Sequence, residues 1–306
     1  MKPPPFDYVA PTSIDEALAA LAQGGADAKL LAGGQSLIPL LNFRLAHPGL
    51  LVDLNRVAEL AYITPRDGGT AIGSMTRQAS VERHPGLAQS QPLLHEAIGW
   101  VGHAAIRSRG TIGGSLAHAD PAAELPAVAV CLDARLSVIG PRGRRSVAAA
   151  DFFVGYLSTV LEPDEILVET WVPALAPCTG QAWLEFARRH GDFALAGVAV
   201  SLSLRGEQVE TARIVLTGVG GTPARAREAE MLLIGGSALE RLSAAADAVR
   251  STIDPEADIH ATKEYRTQLA GVLTERAILL AYGRALASAP AALDVRRALE
   301  SMSRHA

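Results

Sequence analysis

The chain has 306 residues, 49% of them hydrophobic and 20% charged, enough apolar content for two or three modest domains with their own cores. Its net charge of −4 is spread without a basic block, which argues against a nucleic-acid partner. Two cysteines, Cys131 and Cys178, cannot furnish a four-ligand iron–sulfur cluster, a Cys₄ zinc site or a disulfide framework, so a reduced cytosolic protein is expected.

The opening MKPPPFDYVAP lacks the apolar core of a signal peptide. The longest nearly apolar segment, residues 193–204, is too short to span a bilayer. A first helix is predicted from Ser13, which stands three residues before Glu16 in capping-box spacing. Ile14, Ala17, Leu18 and Leu21 share one face of it, and Gly24-Gly25 ends it. Residues 29–31 read as a strand running into Gly33-Gly34. A helix is expected near Ser36, because Pro39 suits a first turn. Residues 50–54 read as a second strand, so the first 57 residues form a small α/β lobe.

A second lobe, residues 58–176, is predicted to hold a strand at 70–74 and one helix over 92–105, where Leu94, Ile98, Val101 and Ala105 repeat at helical spacing. A glycine turn follows at Gly113-Gly114. Residues 126–133 read as a helix, 135–139 and 144–147 as strands around Pro141-Arg142-Gly143, and 166–172 as another strand. Residues 173–177, with a proline at each end, mark a boundary. In the third region, 177–306, Val198, Val200, Leu202 and Leu204 alternate as a strand with one buried face. A turn at 205–208 leads to a strand over 209–217, then helices near 223–233, 238–251 and 262–287. Strands followed by helices give an α+β domain.

Two stretches stand out chemically. AGGQSLIP at 32–39 and IRSRGTIGGSLAHADPAAELP at 106–126 each combine a glycine pair, a hydroxyl residue and an expected helix start. Glycine lets a backbone bend sharply and come close to a ligand, and free N–H groups beside such turns suit phosphate. Two such turns about 80 residues apart suggest one extended ligand held by both.

Taken with LLNFRLAHPGLLVDLNRV at 40–57, these stretches resemble the FAD-binding medium subunits of the molybdenum hydroxylases, the family of carbon monoxide and xanthine dehydrogenases. The likeness runs from Phe6 to about Gly283. It implies a two-lobed FAD-binding fold of the vanillyl-alcohol oxidase type followed by an α+β C-terminal domain. It also implies that Ala32, Gly33, Gly34, Gln35 and Ser36, then Thr111, Ile112, Gly113, Gly114 and Ser115, wrap the FAD pyrophosphate. Leu31, Leu37, Ile106 and Gly110 flank them. Ser115 stands where relatives often carry Asn or Asp. Either Glu124 or Asp120 is expected to reach the ribose, Glu124 being favoured and Asp120 then acting as a cap. Phe193, after Gly191-Asp192, would cover the isoalloxazine in place of the usual Tyr.

The remaining polar residues have plainer readings. Ser115, His118 and Asp120 are no hydrolase triad, since there is no GxSxG elbow and triad members usually come from separate elements. His95 and His103 lie about 80° apart around a helix and do not converge on a metal. His47 and His84 each precede a proline and fall in loops. Arg107 and Arg109 either contact phosphate or lie on the surface, and residues 218–223 read as a strand-to-helix turn. By resemblance the chain is an electron-transfer flavoprotein subunit with no catalytic acid, base or nucleophile. Molybdopterin and [2Fe–2S] clusters are expected on a large and a small partner subunit, as a dimer of heterotrimers. The rivals are a self-sufficient flavin oxidase or reductase of the same fold and a nucleotide-binding scaffold.

Overall fold

The computed structural model describes residues 2–288. The chain opens with β1 (Asp7–Val9) and α1 (Ile14–Gly24). Ser13 Oγ accepts the Glu16 amide at 3.2 Å, but the Glu16 carboxylate turns to the amide and hydroxyl of Thr12 in place of the Ser13 amide. The cap therefore forms with its return bond shifted by one residue. Ala17 and Leu21 are buried, and Ile14 and Leu18 pack beside them. β2 (Ala28–Leu31), α2 (Leu37–Asn42) and β3 (Leu50–Asp53) complete a parallel sheet ordered β1-β3-β2.

After β4 (Ile63–Arg66) and β5 (Gly69–Gly73) come six short helices. They are α3 (Gln78–Arg83), α4 (Leu87–Ser90), α5 (Pro92–Ile98), α6 (Ala104–Arg109), α7 (Ile112–His118) and α8 (Glu124–Cys131). β6 (Arg135–Gly140), β7 (Gly143–Ala148), α9 (Ala149–Phe152), β8 (Phe153–Gly155), β9 (Ser158–Thr159) and β10 (Ile166–Pro173) follow. The main sheet is antiparallel, in the order β4-β5-β10-β6-β7.

Two expectations change here. The single helix over 92–105 is two, because α5 stops at Ile98 and the chain turns through 99–103 with Gly102 at φ +48°. A helix cannot continue through that left-handed conformation. Gly113-Gly114 is not a turn either. Thr111 Oγ1 accepts the Gly114 amide at 3.0 Å and caps α7, so both glycines sit in a helical first turn.

The third sheet, β11 (Thr179–Phe186), β12 (Ala196–Arg205), β13 (Gln208–Thr217) and β14 (Ala224–Arg225), is antiparallel in that order. β14 occupies the start of the helix expected at 223; α10 (Arg227–Leu233) begins after it. α11 (Ala238–Thr252) and α12 (Lys263–Ala287) match their expected spans to within a residue or two. β12 is buried on both faces, not one. Val198 and Val200 join the core built with α12, while Ala199, Trp183 and Val215 join the core of α5 and α8. Burial on both sides follows because this sheet is sandwiched between its own helices and those of the preceding lobe.

Candidate functional site

The first glycine stretch bends straight out of β2, and its carbonyls are already engaged. Asn55 Nδ2 donates to Ala32 O at 2.9 Å and Gln35 Nε2 donates to Gly33 O at 3.0 Å. The amides are not. Among the described residues no protein acceptor receives the N–H of Gly33, Gly34, Gln35, Ser36 or Leu37, although the next amide, Ile38, bonds Gly34 O at 3.0 Å. Gly34 holds the bend at φ +74°, a conformation costly for a side-chain-bearing residue. Five consecutive unpaired, half-buried amides before a helix make a concave nest for an anion.

The second glycine stretch forms the facing wall. A Cβ on Gly33 would lie 2.5 Å from Arg109 O and 2.8 Å from Gly110 Cα, and one on Gly114 would lie 3.3 Å from Ala32 Cβ. The two stretches therefore touch backbone to backbone. The second stretch, however, does not offer the free amides that the sequence suggests. Ile112 N bonds Thr76 O at 3.0 Å, Gly113 N bonds Ser74 O at 2.9 Å, and Gly114 and Ser115 bond Thr111 Oγ1 and O. What it leaves open is the half-buried Ser115, whose hydroxyl, like that of Ser36, makes no protein hydrogen bond among the described residues.

Positive charge stands beside the nest. Arg77 donates to Arg109 O and, at 2.5 Å, to Asn55 Oδ1. Its burial, with the Arg109 charge adding, lowers its pKa, while Asp53 opposes the shift. Arg109 is exposed and its guanidinium has no ion-pair partner among the described residues. Arg107 is not available to phosphate. It is buried against Glu82 at 2.8 and 2.9 Å and donates to the carbonyls of Val101 and Gly102. The sequence alone singles out neither Asn55 nor Arg77. Asn55 stands in the Asp53-Leu54-Asn55 run after β3, but no local pattern marks Arg77.

Asp120 Oδ1 accepts the Ala122 amide at 2.9 Å, so it caps a turn ahead of α8, not the helix itself. That turn is clamped to β13, where Thr217 Oγ1 donates to Pro121 O and Ala123 O, each at 2.8 Å. Glu124, the first residue of α8, is 5% exposed, and its carboxyl has no hydrogen bond to another residue among those described. Burial pushes it up to about 8, with Glu185 and Asp120 adding and Arg107 opposing. Burial likewise pushes Glu185 up to about 7, against a hydrogen bond from Trp183 Nε1 at 3.0 Å. His118 Nε2 lies 4.0 Å from Asp120 Oδ2; burial lowers its pKa. Leu31 and Leu37 lie at the two ends of the nest and Ile106 sits on α6, 36% exposed. Phe193, in the loop between β11 and β12, is 63% exposed.

Residues 4–175 match the family model of the FAD-binding domain in molybdopterin dehydrogenases, and residues 181–281 that of the CO dehydrogenase flavoprotein C-terminal domain. The chain belongs to this family. It is 45% identical over 288 residues to the 6-hydroxypseudooxynicotine dehydrogenase complex subunit alpha of Paenarthrobacter nicotinovorans, covering 93% of this chain and 97% of that one. It is 41% identical to the carbon monoxide dehydrogenase medium chain of Hydrogenophaga pseudoflava, covering 93% and 99%. A solved carbon monoxide dehydrogenase from the same organism superposes with a TM-score of 0.91 at 42% identity, covering 93% of this chain and 99% of that one. Quinoline 2-oxidoreductase from Pseudomonas putida 86 follows at 0.89 and 39%, covering 94% and 100%. This chain is thus an FAD-binding flavoprotein subunit of a multi-subunit oxidoreductase, with the mixed helix-and-strand fold of the medium chains.

Proposed function

We propose that this chain is the electron-transfer subunit of a molybdenum hydroxylase, passing electrons from iron–sulfur clusters on a partner subunit to an external acceptor. The observation that carries the reading is the run of five unpaired amides at residues 33–37, flanked by Arg77 and Arg109. Its geometry and charge suit a pyrophosphate, so FAD fits the site. FAD bound there supplies the hydride and one-electron chemistry, and the protein supplies binding and orientation.

The division of labour runs through residues 1–57, 58–176 and 177–306. Leu31 and Ala32 lead into the nest, whose amides from Gly33, Gly34, Gln35, Ser36 and Leu37 take the phosphates. Ile106, Gly110, Thr111, Ile112, Gly113 and Gly114 build the facing wall, and Ser115 presents its hydroxyl. Glu124 receives a ribose hydroxyl, which its unpartnered carboxyl favours, while Asp120 shapes the turn that places it. Phe193 covers the ring system. No side chain is assigned as acid, base or nucleophile. The large molybdopterin subunit and the small [2Fe–2S] subunit assemble with it as a dimer of heterotrimers in the cytoplasm. Support comes from relatives that are named medium chains or subunits of dehydrogenase complexes, and among the described residues no helix is long and apolar enough to cross a membrane.

Anaerobic stopped-flow of two preparations tests this reading. The FAD-loaded chain alone is expected to show no flavin bleaching with aldehydes, purines or other N-heterocycles, whereas the assembled complex bleaches with its substrate. Rapid bleaching of the isolated chain would mean a self-sufficient oxidase.

A further inference from the structure

The loop of residues 187–195 closes the hairpin of β11 and β12, with Leu195 N bonding Phe186 O at 2.8 Å across its neck. Its tip carries exposed His190 and Phe193 around Gly191, which sits at φ +91°. The tip does not stand free. The His190 ring stacks on Trp100, with centroids 5.7 Å apart and planes at 30°, and on His103 at 6.4 Å and 23°. Gly191 lies so close to His103 that a Cβ there would fall 2.5 Å from Nδ1.

Trp100 and His103 occupy the turn between α5 and α6. Trp100 is half-buried and packs on the core of the second lobe, so it is a fixed post. His190 leans on that post from the exposed loop. A second, weaker contact runs from Arg188 Nη1 to His260 Nδ1 at 3.5 Å. The far end of α6 is Arg109, whose carbonyl touches Gly33. α6, six residues and about 9 Å long, therefore links the gripped loop at His103 to the wall of the nest at Arg109.

The geometry points to a latch: Trp100 and His103 grip His190 and so fix where Phe193 stands relative to the flavin. They are positioning residues that set how exposed the flavin is to a diffusing acceptor. The assignment rests on the proposed placement of FAD at residues 33–37 and of Phe193 over its ring system, and deepens both, because it supplies the element that holds the cover. It also gives a reason for the break in the helix at 99–103, which brings Trp100 and His103 to one side of the loop.

Two measurements on the FAD-loaded full-length chain test the latch, using Trp100→Ala, Trp100→Phe and His190→Ala. Trypsin cleavage after Arg188 and Arg189, followed by mass spectrometry, reads loop opening without reference to flavin. Loss of one aromatic stack shifts such an equilibrium by roughly three- to tenfold. Cleavage is therefore expected to accelerate by about that factor in Trp100→Ala and His190→Ala, and to return near wild type in Trp100→Phe. Reoxidation of photoreduced flavin by dioxygen should accelerate in the same two variants at unchanged FAD content. His190 is exposed, so His190→Ala keeps the test valid if the Trp100 change disturbs the core. Unchanged cleavage in both alanine variants would overturn the latch. Faster cleavage with unchanged reoxidation would leave the loop latched but overturn its role at the flavin. A wild-type chain that binds no FAD would instead strike at the placement of the cofactor, a result that the trypsin assay does not depend on.

Discussion

A Gly33→Val chain is expected to emerge from purification folded but without flavin, whereas Gly113→Val is expected to melt at a markedly lower temperature. The two glycines look equivalent in the sequence, each being part of a pair before a helix. Their surroundings differ. A side chain at Gly33 meets Arg109 O and Gly110 Cα, so it wedges the nest away from its facing wall at the half-buried junction of the two stretches. A side chain at Gly113 falls 2.8 Å from Ser74 Cα in the interior, where α7 docks through Gly113 N to Ser74 O beside Ile112 and Leu116. Overpacking of that kind costs about 1–3 kcal/mol or more, against a total stability on the order of 5–15 kcal/mol. The ratio of flavin to protein absorbance and a circular-dichroism melt separate the two outcomes. Full flavin occupancy in Gly33→Val would show that the two stretches need not touch.

The melting temperature of the FAD-free chain should fall as pH rises from about 5 to 9, by the action of Glu124 and Glu185. Both carboxyls are pushed up by burial, to about 8 and about 7, so the folded state favours their protonated forms. The stability tied to them is fully present below the ordinary carboxylate range. It is lost as pH rises through about 7 for Glu185 and about 8 for Glu124. Each tenfold gain in proton affinity on folding corresponds to about 1.4 kcal/mol, so a shift from the ordinary 4.5 to about 8 makes the loss on the order of 5 kcal/mol for Glu124 alone. Because the two are neighbours, their effects will not simply add. His118 works the other way: burial lowers its pKa, so it disfavours the fold as it becomes protonated at acid pH. Melting curves of wild type and of Glu124→Gln/Glu185→Gln across this window check the assignment. The double variant should lose the fall toward alkaline pH and keep only the opposite, acid-side effect of His118, and a slope parallel to wild type would place the pH dependence elsewhere.

Much of the fold can be read in the sequence because its signals are local. The Ser13 cap, the alternation along β12 and the helical span of α12 from about residue 262 each depend on a few neighbouring residues. The candidate site is legible only in outline. That the amides after Gly33 would be free follows from a glycine turn between a strand and a helix. That those of residues 112 and 113 are engaged does not, because their acceptors, Thr76 O and Ser74 O, lie almost forty residues earlier. Arg107 likewise looks free for phosphate until the fold brings Glu82 beside it. The second buried face of β12 is hidden for the same reason, since it is created by α5 and α8 of another lobe. Arg77 and the His190 stack are pure tertiary facts.

Hydrogen–deuterium exchange of the full-length chain with and without FAD tests the central claim most directly, because exchange reports which amides are free to open to water. The amides of residues 33–37 should exchange fast in the empty chain and become protected when FAD binds, while those of residues 112–115 should stay slow in both states. Unchanged exchange at residues 33–37 on saturation with FAD would contradict the claim that these five amides hold the cofactor's pyrophosphate.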